Sequence, residues 1–321
     1  MLDLFNVTSD CEEELHGLLD GMEARAGGQV YVSCFGRTID DEDVVALNFA
    51  NELGNRGCSS FAAWGTMTPG GRTIVARNDD NLASSSLLGI PQYIRIHIPP
   101  AGSGRCAFVS VQYPGVIGFY QGMNTDGVTI TRDGGNSQLD PTISSGFYSS
   151  MLTLHEALGV AHTGTAFDDV EAILKARPIP NSSIVIVAVP HAGQGPSSVA
   201  LEWDAHLATD GGVTRREPSS LHSYLIATNH FRARQTEIDC WRYSLLSDRM
   251  AEIAQSSGML LFDTDEAWGL LRQVALGPPH CADPSIVFEP DRGLLHIAFS
   301  RDSQAAPFCS PMTVDVTGIS P

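Results

Sequence analysis

The strongest constraint on the fold is a run of three hairpin signals between residues 58 and 131, where apolar spacing changes from helical to alternating. Residues 58–65 and 72–80 read as strands joined by the turn Thr68-Pro69-Gly70-Gly71. Residues 93–98 pair with 106–113, and 116–123 with 127–131 through Asn124-Thr125-Asp126-Gly127. Consecutive hairpins predict an antiparallel sheet. Helices are predicted at 9–25 and 41–53 ahead of them, and at 147–163 and 167–177 after them. Strands resume at 183–189, 198–203 and 223–228, helices at about 234–255 and 264–274. A last hairpin joins 285–288 to 294–299. Strands and helices come in blocks with no βαβ alternation, which predicts an α+β layered fold with no linker long enough to divide it.

Charge and composition exclude several partners. The formal charge is −18, against nucleic acid and anionic membranes. Residues 1–57 hold twelve acidic and three basic groups, so half of the excess precedes Cys58. No apolar run reaches the length of a membrane-spanning helix. The start Met1-Leu2-Asp3-Leu4-Phe5 lacks the basic and apolar stretches of a secretory signal, so a cytoplasmic location is expected unless an export signal was trimmed.

The seven cysteines form no Cys-x-x-Cys pair and no Cys/His cluster at zinc spacing. Most are expected to be small buried residues, and no metal or dissociable cofactor is expected. Asp40-Asp41-Glu42-Asp43 lacks the alternating ligands and central Gly of a calcium loop and reads as a solvated helix start. His155 and His162, seven apart in a predicted helix, read as core or surface residues.

One segment carries chemistry. Gly57-Cys58 sets a thiol at the start of a strand, and the returning strand ends in Arg77-Asn78-Asp79-Asp80. A thiol is mostly protonated at neutral pH and needs an activator. No His lies near a catalytic-type signature, though a spatially adjacent one would serve. The alternative is the α-amine of Cys58 itself, whose ordinary pKa of about 7.7–8.0 suits a general base. That amine exists only if the Gly57–Cys58 bond is broken, and Gly57 tolerates the close approach and backbone strain of such a cut. Arg77 can stabilise a thiolate, and Asp79 or Asp80 can hold the new ammonium. Strand alternation puts Asp79 on the Arg77 face and Asp80 on the other.

Gly57-Cys58-Ser59-Ser60-Phe61-Ala62-Ala63-Trp64, Arg77-Asn78-Asp79-Asp80 and Gly122-Met123-Asn124-Thr125-Asp126-Gly127-Val128 together resemble the N-terminal-nucleophile hydrolases. The nearest group resembled is the isopenicillin N acyltransferase-like family; choloylglycine hydrolases and acid ceramidases are more distant. Ala227-Thr228-Asn229-His230-Phe231, Trp241-Arg242-Tyr243 and Ser285-Ile286-Val287-Phe288-Glu289-Pro290 continue the resemblance over most of the chain.

The resemblance implies a four-layered αββα sandwich of two antiparallel sheets between helix layers. It implies self-cleavage at Gly57–Cys58 into an α chain (1–57) and a catalytic β chain (58–321) that stay associated, with a homo-oligomer left open. It matches Cys58 to the nucleophile, Arg77 to the site arginine and Asp80 to the carboxylate that holds the α-amine, which requires a bulge or turn at that strand end. Asn229 matches an oxyanion-hole amide; as a bare residue it also reads as a cap on the following helix. Arg242 matches the late supporting arginine, across a shorter gap from Asn229 than in choloylglycine hydrolases. A further polar group is expected from Asp133 or Asn136. The implied activity is cysteine amidohydrolysis or acyl transfer on a small N-acyl amide with a linear C–N bond. The rivals are an unprocessed Cys–His hydrolase and a non-catalytic binding protein on the same scaffold.

Overall fold

The computed structural model describes residues 4–53, 57–82, 90–135, 145–219, 222–234, 238–256, 258–277, 280–301 and 304–319. The chain begins with α1 (Ser9–Ala26), a two-stranded hairpin of β1 (Tyr31–Val32) and β2 (Arg37–Thr38), and α2 (Asp41–Phe49). Asp40 caps α2 in a reciprocal box with Asp43, so the acidic run is the helix start expected of it. Then come β3 (Gly57–Gly65), β4 (Gly71–Leu82), β5 (Tyr93–His97), β6 (Phe108–Gln112), β7 (Gln121–Asn124) and β8 (Thr129–Gly134). After α3 (Ser150–Val160) and α4 (Ala166–Lys175) follow β9 (Ser183–Ala188), β10 (Ser198–Trp203), β11 (Val213–Arg216) and β12 (Tyr224–Ala227). The chain closes with α5 (Trp241–Gln255), α6 (Thr264–Val274), β13 (His280–Glu289), β14 (Leu294–Ala298) and β15 (Met312–Asp315).

Two antiparallel sheets result, ordered β11-β10-β9-β8-β7-β6-β5 and β12-β3-β4-β13-β14-β15. Strand alternation divides their side chains into three apolar layers. Val185 and Val187 of β9 pack on Leu154, Leu158 and Val170 of α3 and α4. Their neighbours Ile184 and Ile186 point the other way, to meet Ala62, Trp64 and Val75 of the second sheet. Phe61 and Ala63 of β3 face Leu246, Leu270 and Leu271 of α5 and α6. Helix, sheet, sheet, helix is therefore the order, the four-layered αββα sandwich expected. A separate cluster of Cys11, Leu15, Val44 and Phe49 seats α1 and α2 on Ile117 and Leu152.

Three expectations need correction, each because a distant side chain captures the backbone. Residues 116–120 are not strand: Asn48 of α2 donates to Gly115 O at 2.9 Å and accepts from Ile117 N at 2.8 Å. The helix expected from 234 starts at Trp241, since buried Glu202 accepts from the backbone N–H groups of Arg232, Ala233 and Arg234 at 2.6, 2.9 and 3.3 Å. The helix expected over 147–163 ends at Val160, where Asn124 Nδ2 takes the Leu158 and Ala161 carbonyls, so His162 lies beyond it. Short edge strands β11 and β15 went unread; four residues give too little alternation to register.

Candidate active site

Cys58 sits in the first turn of the pleat of β3, and its side-chain direction follows from the layers. Ala62 and Trp64 point between the sheets, so Ser60 and Cys58, two and four residues before Ala62, do also. The β3–β4 register pairs Ser60 with Arg77 and Cys58 with Asp79. All four side chains thus share the inter-sheet face. From the facing sheet come Gln121 of β7 and Asp133 of β8, also on inward positions.

Arg77 is the hub, at 1% exposure. Its Nη2 donates to Cys58 Sγ at 3.2 Å and to Arg132 O at 2.7 Å. Nη1 donates to Gln121 Oε1 and pairs with Asp79 Oδ2 at 3.4 Å. Nε reaches Arg132 O at 3.1 Å and Asp133 Oδ1 at 3.3 Å. Every donor of the fork is spent, which fixes the guanidinium against sulfur. The thiol in turn donates to Asp79 Oδ1 at 3.8 Å and receives the Gly134 backbone N–H. None of these partners is a histidine. Burial pushes the Cys58 thiol up to about 12, the Arg77 charge opposing this and Asp79 and Asp133 reinforcing it. Cys58 is only 2% exposed, and a cavity of about 620 Å³ opens elsewhere, against Glu14, Arg95 and His97.

A second network flanks the backbone of Cys58. Its N–H donates to Asn229 Oδ1 at 2.9 Å. Arg242, from the first turn of α5, donates through Nη2 to the same Oδ1 at 2.7 Å. Its Nη1 donates to Cys58 O at 2.7 Å and to Asp80 Oδ2 at 3.1 Å. Asn229 Nδ2 donates to Gly134 O at 2.9 Å, so the amide is oriented by donors on one side and a carbonyl on the other. Asn229 is not a helix cap, since the N-cap of α5 is Cys240.

The structure therefore brings Cys58, Arg77, Asn229 and Arg242 together and separates the two aspartates. Asp79 faces the thiol; Asp80, on the α6 side, pairs with Gly57 in register. Burial raises the Asp80 carboxyl to about 7 despite Arg242. The bulge expected at Arg77–Asp80 is absent, because β4 pairs with β3 without interruption from Ile74 to Asp80. The irregularity falls instead in β13, where Asp283 and Pro284 are inserted between Ala282, opposite Asp80, and Ser285, opposite Asn78. Of the two further polar candidates, Asp133 reaches the site: Oδ1 accepts from Ser60 Oγ at 2.8 Å and from Arg77. Its Oδ2 is buried without a hydrogen-bond partner, and burial raises the carboxyl to about 6. Asn136 lies outside the described residues. Gln121 and Ser60 were missed by sequence reasoning; the only signal was their parity with Met123 and Ala62 on inward-facing strands.

The space beside Gly57 is tight. A Cβ there would lie 2.9 Å from Leu276 Cδ1 and 3.3 Å from Asp80 Cβ.

No family model matches the chain, and no curated protein matches it in sequence. Solved structures do match. An N-acylethanolamine-hydrolysing acid amidase orthologue from Caenorhabditis elegans is 15% identical with a TM-score of 0.52, covering 73% of this chain and 93% of its own. A mutant of the conjugated bile acid hydrolase from Clostridium perfringens is 13% identical with a TM-score of 0.51, covering 81% of this chain and 94% of its own. At such identities the likeness is one of fold, and the fold is that of the N-terminal-nucleophile hydrolases.

Proposed function

We propose that this chain is a cysteine amidohydrolase or acyltransferase that cuts itself between Gly57 and Cys58. The observation that carries the reading is the placement of Cys58 Sγ between Arg77 Nη2 and Asp79 Oδ1, directly after the crowded Gly57. In the uncut chain Asp79 accepts the thiol proton and Sγ adds to the Gly57 carbonyl carbon. The Cys58 nitrogen takes a proton and leaves as an amine. Water then converts the Gly57 thioester to a carboxylate and restores the thiol. Residues 1–57 become an α chain that stays docked through α1 and α2, and 58–321 become the catalytic β chain.

In the mature form the freed α-amine is the base. It is set between Asn229 Oδ1, which already accepts from the Cys58 nitrogen, and Asp80, which stands across from the departed Gly57. The amine takes the thiol proton, Sγ attacks the substrate carbonyl, and N–H groups of Asn229 and its neighbourhood stabilise the oxyanion. The substrate nitrogen leaves protonated, and water or a second amine resolves the thioester.

The two neighbours' names give an N-acylethanolamine and a conjugated bile acid as their substrates. A small N-acyl amide is the corresponding class here, and the resemblance to the isopenicillin N acyltransferase-like family adds acyl transfer to hydrolysis. Intact-mass analysis followed by a screen of N-acyl amines and penicillins tests the proposal. Fragments ending at Gly57 and beginning at Cys58, with turnover lost in Cys58→Ala, are the expected result. An uncut and active chain would transfer the chemistry to another base, and an uncut, inert one would leave a binding protein.

A further inference from the structure

Three donor atoms meet at the far end of the β7–β8 hairpin from Gln121 and Asp133. They are Cys106 Sγ, just before β6, Asp126 Oδ2, in the β7–β8 turn, and His162 Nδ1, just beyond α3. All lie within 4.8 Å of one another, with Sγ 3.5 Å and Oδ2 2.7 Å from Nδ1. The backbone around them is pinned from each side. Cys106 N donates to Gly159 O at 2.8 Å, Thr125 N to Ala107 O at 2.9 Å, and Thr163 Oγ1 to Asp126 O at 2.6 Å. Asn124 Nδ2 ties the same turn to the end of α3.

A hydrogen-bonded Cys–His–Asp relay needs one ring nitrogen for the thiol and the other for the carboxylate. Here the single atom Nδ1 faces both, which is convergence on a point between three donors. The S···N edge agrees with a metal at that point: zinc–sulfur and zinc–nitrogen bonds of about 2.3 and 2.05 Å at a tetrahedral angle give an S···N separation of about 3.5 Å. The 2.7 Å between Nδ1 and Oδ2 is instead that of a hydrogen-bonded pair, with the ring proton on Nδ1, so binding must displace that proton and draw the exposed Asp126 carboxylate back to about 3.3 Å. A sulfur, nitrogen and oxygen set selects a zinc-class ion over magnesium or calcium. Cys106 is buried whereas His162 and Asp126 are exposed, so the fourth position opens to water.

A second cluster, Glu14, His97 and His155, is differently built. The Arg95 guanidinium already pairs with Glu14 Oε1. His155 Nδ1 is buried without a partner, so the ring proton belongs on Nε2, 2.7 Å from Glu14, and no lone pair faces the cluster. It is an ion-pair hub between α1 and the sheet.

We propose that Cys106, Asp126 and His162 bind one zinc-class divalent cation with water as the fourth ligand. The ion clamps the start of β6, the β7–β8 turn and the end of α3; on binding the Cys106 thiol proton goes to the buffer, and the His162 Nδ1 proton either goes to the buffer from a charged ring or moves to Nε2 in a neutral one. The site is remote from Cys58 and acts on stability.

The test uses the full chain carrying Cys58→Ala, so that the nucleophile is no ligand, titrated with Zn²⁺ by calorimetry and with Co²⁺ by absorbance. One equivalent is expected, with a higher unfolding temperature and a thiolate-to-cobalt charge-transfer band. Cys106→Ser abolishes that band. His162→Ala, at an exposed position that tolerates truncation, and Asp126→Asn each weaken Zn²⁺ binding at least about tenfold. Glu14→Gln changes neither. A band that survives Cys106→Ser, affinity that survives His162→Ala, or binding lost with Glu14→Gln overturns the proposal. So does an absence of binding at roughly a hundredfold excess of Co²⁺ over protein.

Discussion

Asp79 stands across from Cys58 in the β3–β4 register, and Asp80 stands across from Gly57 with its carboxylate on the opposite face of the sheet. Adjacent carboxylates are thereby assigned to the two sides of the bond that the proposal breaks. Asp79→Asn removes the acceptor of the thiol proton and is expected to slow self-cutting by ~10²–10⁴-fold, the usual range for a general base. Asp80→Asn leaves the thiol contacts intact; it is expected to cut and then to turn over poorly, with an altered amine pKa in the kcat/KM profile. Time-resolved intact mass and an amidase assay separate the two. Equal loss of cutting in both variants would refute the division.

Gly57→Ala introduces a Cβ at 2.9 Å from Leu276 Cδ1 and 3.3 Å from Asp80 Cβ. Leu276 must swing aside and Asp80 give by a few tenths of an ångström, which disturbs the backbone beside the scissile carbonyl, so cutting slows while the fold persists at a cost of about 1 kcal/mol. Leu276→Ala in the same chain opens the space and is expected to restore much of the cutting rate. Restoration is the informative measurement, because a general defect would not respond to truncation of this one contacting side chain.

The buried carboxyls predict how stability follows pH. Folding raises Asp133 to about 6 and Asp80 to about 7, by burial in both cases, above the ordinary Asp value near 3.9. These two carboxyls therefore hold more protons in the folded than in the unfolded chain between about pH 4 and 7, and their contribution to stability falls as pH rises through that window. Thermal melts of the uncut Cys58→Ala protein are expected to show a lower midpoint at pH 7.5 than at pH 5. Asp133→Asn keeps an Oδ1 acceptor for Ser60 and Arg77 but cannot ionise, and should flatten the slope by about 1–3 kcal/mol over the window. An unchanged slope would mean that Asp133 is ionised throughout.

Much of this was legible in sequence because hairpins are local. The turn Thr68-Pro69-Gly70-Gly71 places the thiol strand against the Arg77 strand, and alternation alone puts Asp79 on the Arg77 face. The resemblance pointed to Asp80 and to a bulge in β4; the bulge is in β13, a strand two hundred residues distant whose register no local pattern encodes. Long-range capture explains the other misses. Asn48 and Glu202 each hold a backbone segment out of its locally preferred form, and both read as ordinary polar residues of a helix and a strand. The Cys106–Asp126–His162 convergence escaped for the same reason, since zinc spacing is sought along the chain and these donors meet across three elements.

Finally, the intact chain hides the proposed nucleophile. Cys58 is 2% exposed and its thiol is pushed up to about 12 by burial, so the thiolate fraction at pH 7.5 is roughly 10³-fold below that of a free thiol of pKa 8.5. Exposed Cys34 provides an internal reference. In the cutting-deficient Asp79→Asn chain, iodoacetamide is expected to modify Cys34 readily and Cys58 hardly at all, as read by peptide mass mapping. In the cut wild-type protein the α-amine becomes the proton acceptor and the Gly57 carboxylate is free to move away, so Cys58 overtakes Cys34. Fast labelling of Cys58 in the uncut chain would show that an open, activated thiol precedes cleavage, and the proposed order of events would have to be reversed.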